Sequence, residues 1–142
     1  MVVDHDDAND VLQNVMIRVW NGLENFREDS QLYTWLYRVA TNECLTFLEQ
    51  QKKRASVSLS DVESGLENKI KADRHFDGNK LEWKLQLGIQ QLPEKQRIVF
   101  QLRYYDEMPY EEMSRVLETS EGALKASYHH AVKKIEDYIK NH

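Results

Sequence analysis

Large apolar residues recur along this chain at three- and four-residue spacing instead of alternating, and that rhythm predicts helices. Val11, Leu12, Val15, Met16, Val19, Trp20 and Leu23 keep it for about three turns. They cover about half of a helix circumference, so one side of this first helix is expected to be buried. Asp6 or Asp7 is placed to cap it. On the other side Gln13 and Asn14 surround Ile17, a lone exposed branched residue. A tolerated surface isoleucine and the centre of a protein-docking patch both fit that position. Gly22–Asp29 then breaks the periodicity.

A second helix is expected from the N-cap candidate Ser30, through Phe47 and Leu48, to the basic triplet Lys52, Lys53 and Arg54. That triplet suits the negative end of the helix dipole. Leu32, Trp35, Leu36, Val39 and Ala40 form its apolar stripe, and Glu43 falls inside the stripe without explanation. Tyr33, Thr34, Tyr37, Arg38, Thr41 and Asn42 lie outside it. They read either as an ordinary solvated face or as stacking planes, a guanidinium and an amide offered to nucleic acid.

From Ala55 to about Lys80 the rhythm fails among serines, acids and two glycines, which predicts a flexible linker of about 25 residues. Beyond it Leu81, Leu85, Ile89 and Leu92 form a stripe, with Gly88 on the same side admitting a close neighbour. Pro93 and Pro109 are suited to open two further helices, the first running to about Tyr105 and the second carrying Met113, Val116 and Leu117. Ser120 caps a last one, in which Leu124, Tyr128, Ala131, Ile135, Tyr138 and Ile139 form an uninterrupted stripe. A short helix, a tight turn and a longer helix make a helix-turn-helix pattern. The outward face of the last helix carries Gly122, Lys125, Ala126, His129, His130 and Lys133, with no acid between Glu121 and Glu136. The expected fold is therefore all-α: two small helical domains, 1–54 and 81–142, joined by a flexible linker, 55–80, the second a helix-turn-helix domain.

Composition narrows the function classes. With 142 residues, five glycines and two prolines, long helices are favoured over many short strands. The single cysteine, Cys44, excludes an intramolecular disulfide framework and fits a reducing compartment. No secretory signal or 18-residue apolar run occurs, so no membrane span is expected and the address is cytoplasmic. No metal or cofactor site is expected: His129 and His130 point about 100° apart on one helix, and no glycine-rich phosphate loop or nucleophile motif is present. An enzyme is not indicated. The net charge of −5 opposes stand-alone DNA binding, whose affinity comes largely from counterion release. Such a chain must gather its cations on one face or borrow affinity from a larger partner.

The segments DANDVLQNVMIRVW, FREDSQLYTWLYRVATN and LPEKQRIVFQLRYYDEMPYEEMSRVLETSEGALKASYHHAVKKI, in this order, resemble the extracytoplasmic-function sigma factors of bacterial RNA polymerase. The resemblance implies a promoter-specificity subunit without catalysis of its own, whose partners are core polymerase, promoter DNA and, in some members, an anti-sigma factor. It places Asp10, Val11, Gln13, Asn14 and Ile17 against the polymerase clamp. Gln31 and Leu32 would help form a pocket for a flipped base of the −10 element. Tyr33, Thr34, Tyr37, Arg38 and Asn42 would line the non-template strand, while Trp35 and Leu36 remain core. Glu121, Gly122, Ala123, Lys125 and Ala126 would enter the major groove of the −35 element. Arg115, His129, His130, Lys133 and Lys134 would meet phosphates.

Four departures from the family pattern stand out. The chain begins without the helix or helices that usually precede the polymerase-binding one, as a fragment or a shortened member would. Glu28 and Glu118 stand where glycine is usual, the latter in the helix-turn-helix turn. Ser127, His130 and Val132 stand where basic residues are usual, so intrinsic DNA affinity should be weak. Two alternatives remain on sequence: a helical regulator that binds polymerase or a sigma factor without reading promoters, and a stand-alone helix-turn-helix repressor.

Overall fold

The computed structural model describes residues 2, 4–26, 32–54 and 80–142, and the regular structure among them is helical. Helix α1 spans His5–Gly22 and is followed by a 3-10 turn, Leu23–Asn25; α2 spans Leu32–Arg54. The second lobe holds α3 (Lys80–Gln90), α4 (Glu94–Tyr104), α5 (Tyr110–Leu117) and α6 (Glu121–Asn141). The linker expected at 55–80 lies outside the described residues except for Lys80, which begins α3, and Ser30, Gln31 and Glu28 lie outside them too.

The cap of α1 is Asp4, not Asp6 or Asp7: its carboxylate accepts from the backbone N–H groups of Asp6 at 2.8 Å and Asp7 at 3.3 Å. Cap and first-turn acids all favour the positive end of the dipole, which is why sequence alone did not separate them. Among the described residues helix α1 packs on α2, which covers only part of the broad apolar stripe. Val11 is buried at 4% exposure, and Val15 and Val19 are half-buried. Leu12, Met16, Trp20 and Leu23, expected in the core, are exposed, Trp20 at 78%. Ile17 is exposed as expected, but in company with them. Where the two helices leave each other, Gly22 admits the indole of Trp35: a Cβ there would lie 2.9 Å from its Cζ2. Phe26 completes the corner, its ring centroid 5.2 Å from that of Trp35.

Helix α2 departs from its apolar pattern as well. Its buried residues are Thr34, Thr41 and Glu43; Leu32 and Leu36 are exposed, and Trp35, Val39 and Ala40 are half-buried. The stripe faces α1, which is too narrow a partner to cover all of it. Glu43 sits within that stripe because Arg18 of α1 meets its carboxylate in an ion pair.

In the second lobe the stripes close as expected. Ile98, Val99 and Leu102 of α4 join Met108, Met113, Val116 and Leu124 in one core cluster. Ile89, Leu92, Phe100, Ala131 and Ile135 form the other, so α4 serves two cores from two faces. Gly88 is buried beneath Tyr138, whose Cδ1 would stand 3.3 Å from a Cβ at that position. Arg97 fastens the α3–α4 turn, donating from Nη2 to the carbonyls of Gln90 and Leu92, each at 3.1 Å. Both prolines sit at N-caps, one residue ahead of the expected first helical position, with ψ of 145° at Pro93 and 146° at Pro109. Their carbonyls accept the first helical bonds, from Arg97 at 2.9 Å and Met113 at 3.0 Å. The lobes also touch: α2 packs against α5, with Tyr37 and Leu45 lying on the Ile98–Leu124 cluster.

Candidate nucleic-acid interface

The helix-turn-helix is built by α5, a turn and α6. Ser120 caps α6 as expected, its Oγ accepting from Ala123 N–H at 3.3 Å. Glu118 occupies the glycine-like corner at φ 52°, ψ 41°, a left-handed conformation that costs a non-glycine residue roughly 1 kcal/mol. Thr119 supports the corner by donating its hydroxyl to the carbonyl of Leu117 at 3.0 Å.

Leu124, Ala131 and Ile135 turn the inner face of α6 into the core. This leaves Glu121, Gly122, Ala123, Lys125, Ala126, His129, His130, Lys133 and Lys134 exposed on the outer side. The space around Gly122 is open: a Cβ there would meet nothing within 4 Å. Lys125 Nζ lies 5.6 Å from the centroid of the Tyr110 ring, and the guanidinium of Arg103 lies 4.8 Å from it. This aromatic ring of α5 thus anchors a cation at the mouth of α6. Arg115 is exposed, but its Nη2 already pairs with Glu111 at 2.7 Å, which reduces the charge it presents to a phosphate. The rings of His129 and His130 are 5.9 Å apart. Among the described residues no group of three His, Cys, Asp or Glu side chains could hold a metal ion, and no helix is long and apolar enough to cross a membrane.

The strand-lining set on α2 is less uniform. Leu32, Tyr33 and Asn42 are exposed; Tyr37 and Arg38 are half-buried; Gln31 lies outside the described residues. Thr34, at 2% exposure, offers nothing to a strand in this arrangement, contrary to expectation. The rings of Tyr33 and Tyr37 meet at 4.7 Å and 55°. The Tyr37 phenol is pushed up to about 12, by burial first, then by its hydrogen bond with Tyr33 and the charge of Asp106.

On α1, Asp10, Gln13, Asn14 and Ile17 share the solvent side, Ile17 at 58% exposure. Val11 does not belong with them: it is buried in the α1–α2 packing, because it lies on the inner edge of the stripe. Two features were missed on sequence. The Arg18–Glu43 pair had a signal, since a carboxylate within an apolar stripe demands a cation on the facing helix. Arg38 carries the other: its Nε–H donates to the backbone carbonyl of Arg115 at 2.8 Å, and its Nη2 lies 3.4 Å from the Glu118 carboxylate. No local pattern links residues 77 positions apart.

Comparison with known proteins adds independent findings. The family described as Sigma-70 region 2 matches residues 1–54, and that described as Sigma-70, region 4 matches residues 83–135. The chain is 31% identical over 143 residues to the RNA polymerase sigma-H factor of Pseudomonas aeruginosa, covering 95% of this chain and 74% of that one. It is 28% identical over 145 residues to the ECF RNA polymerase sigma-E factor of Escherichia coli K12, covering 96% and 76%. In fold it resembles the sigma factor RpoE solved in complex with the anti-sigma factor NepR from Bartonella quintana, with a TM-score of 0.72 and 18% identity over 98% of this chain and 84% of that one.

Proposed function

Because the chain belongs to the sigma-70 family of RNA polymerase sigma factors, in its extracytoplasmic-function group, we propose how its parts divide promoter recognition. Residues 1–54 bind core polymerase and the −10 element, 55–80 tether, and 81–142 read the −35 element. Asp10, Gln13, Asn14 and Ile17 dock on the polymerase. Leu32, Gln31 and the residues just before them hold a base flipped from the −10 duplex, while Tyr33, Tyr37, Arg38 and Asn42 follow the strand beyond it. Unstacking that base costs a few kcal/mol, which stacking on a tyrosine and edge hydrogen bonds must return.

The observation that carries the −35 assignment is the outer face of α6, where Lys125, His129, His130 and Lys133 are all exposed and no acid intervenes between Glu121 and Glu136. Glu121, Gly122, Ala123, Lys125 and Ala126 enter the groove; Arg115, His129, His130, Lys133 and Lys134 meet phosphates. With a net charge of −5, neither lobe holds DNA strongly alone. Polymerase supplies the missing affinity by holding both lobes at high effective concentration over their elements. Chemistry belongs to the polymerase, and the place of work is the cytoplasm. The sigma factor RpoE of Bartonella quintana is solved in complex with an anti-sigma factor, and a partner of that class would be a further one for this chain.

In vitro transcription with core polymerase on a promoter library tests the reading. Initiation should be redirected to promoters that carry both elements. Polymerase binding with unchanged start sites would instead leave the protein-interaction regulator. Tight duplex binding without polymerase, with a steep salt slope, would leave the repressor.

A further inference from the structure

The outer face of α6 holds two kinds of cation. Lys125, Lys133 and Lys134 keep their charge across the physiological range, whereas His129 and His130 carry one only when protonated. All five are exposed and follow one another at helical spacing. His129 stands four residues from both Lys125 and Lys133, and His130 four residues from Lys134. The imidazole centroids lie 5.9 Å apart, and the helical step between adjacent positions aims the two rings apart. From Lys125 to Lys134 the face therefore carries three charges in alkaline solution and five in acid. No carboxylate between Glu121 and Glu136 cancels the difference.

Nothing within the fold fixes that charge in advance. Helices α3, α4 and α5 pack on the opposite side of α6, through the Ile98–Leu124 and Ile89–Ile135 clusters. The polar groups of α4, α5 and the corner are Arg103 and Lys125 against the Tyr110 ring, Arg115 paired with Glu111, and Glu118 facing Arg38. Among the described residues neither these groups nor the charged side chains of α3 make a hydrogen bond or ion pair with either imidazole. On α6 itself Glu136 and Asp137 stand two turns beyond His129 and His130. A neutral imidazole donates one N–H; a protonated one donates two and adds a charge, which a phosphate oxygen accepts as a charge-assisted hydrogen bond.

We propose that the −35 lobe takes up protons from solvent as it binds, His129 and His130 becoming phosphate-binding cations on the duplex, so that promoters relying on this element are favoured as the pH falls. The proposal rests on the reading of α6 as the −35 helix. A phosphate beside an imidazole favours the protonated form, so the gained affinity is present below histidine's ordinary titration range. It is lost as the pH rises through the higher range that the ring acquires on DNA. With each proton favoured about tenfold by its phosphate, each ring tightens binding about fivefold between pH 8 and pH 6, and the pair about twenty-fivefold.

The experiment measures binding of holoenzyme, core polymerase with the full chain, to two DNAs. One is a promoter that includes the −35 duplex; the other is the same promoter cut short of it. The ratio of the two affinities cancels the polymerase's own response to pH. For the parent this ratio should rise about twenty-fivefold from pH 8 to pH 6, and its salt slope should be steeper by about 2 at the acid end. His129→Gln with His130→Gln should hold the ratio near its alkaline level throughout. His129→Lys with His130→Lys should hold it near its acid level, a rescue by charge that a misfolded lobe would not show. A flat profile in the parent, an unchanged profile in the glutamine variant, or one salt slope at both pH values would overturn the proposal. If the −35 duplex adds affinity that does not respond to pH, only the proton uptake fails. If it adds none at any pH, the reading of α6 fails and the proposal with it.

Discussion

The carboxylate of Glu43 is held across the α1–α2 interface by the guanidinium of Arg18. The two ends of this pair differ: the Glu43 side chain is 9% exposed, whereas that of Arg18 is 67% exposed. Removing the cation leaves a carboxylate in an apolar stripe, while removing the acid leaves a solvated arginine. Arg18→Ala should therefore lower stability by about 1–2 kcal/mol, a value reduced from that of fully buried pairs because water screens the arginine. Glu43→Leu should be neutral or stabilising. Urea unfolding of both variants checks this, and a larger loss for Glu43→Leu would show that the pair, and not burial of the charge, governs the interface.

Glu118 makes the opposite kind of prediction, since the native residue is the strained one. Its φ of 52° closes α5, and Glu118→Gly should raise the stability of the second lobe by about 1 kcal/mol, less the extra chain entropy that glycine loses on folding. The melting of α3–α6 followed by circular dichroism reads it. A drop in stability would mean that the contact with Arg38 contributes more than the backbone strain removes.

The second lobe was far more legible in the sequence than the first, for a physical reason. Each apolar stripe of α4 and α6 meets a partner of matching width, so periodicity and burial coincide at Ile98, Val99, Leu102, Leu124, Ala131 and Ile135. In the first lobe α1 offers more apolar surface than α2 covers, and Leu12, Met16 and Trp20 remain outside. Helical periodicity reports which residues could be buried; it does not report whether a neighbour is present. Ser120 could be read because a cap is local, whereas the corner at Glu118 was marked only by the glycine usual in the family, since a glutamate by itself gives no sign of a left-handed backbone. Arg38 on the Arg115 carbonyl could not be read, because that contact depends on how the two lobes meet. The exposed outer face of α6 was legible in the periodicity, as was the burial of Val11, which the family resemblance had instead set against polymerase; Thr34, read as lying on the strand-lining surface, is buried.

Ile17 and Val11 provide a matched pair on one helix. Ile17 is exposed and contacts no core, so Ile17→Glu should abolish polymerase binding and leave the helical signal and melting temperature unchanged. Val11, at 4% exposure, should behave in reverse: Val11→Ala should destabilise the first lobe by about 1–3 kcal/mol through lost packing and weaken polymerase binding only as far as unfolding does. Co-purification with core polymerase, set beside thermal melting, separates the two. Full polymerase binding by Ile17→Glu would remove α1 as the docking helix.

Lys125 and Lys133 lie two turns apart on the exposed side of α6 and should fail in different ways. Lys125, near the N-terminus of the helix, is steadied over the Tyr110 ring at 5.6 Å, and the first turns of a recognition helix are those that reach base edges. A contact to a base edge discriminates between sequences by about 1–3 kcal/mol, so Lys125→Ala should change which −35 sequences support transcription. Lys133 is two turns further along the helix, and in the proposed docking it would lie away from the groove floor and reach only phosphates. Lys133→Ala should weaken binding to all promoters alike and reduce the salt slope of holoenzyme binding by about 1. The measurement is transcription from a −35 library, with promoter binding repeated across a salt series. Uniform weakening by Lys125→Ala would make it another phosphate contact and move base reading to Glu121 and Gly122, the residues that open the helix.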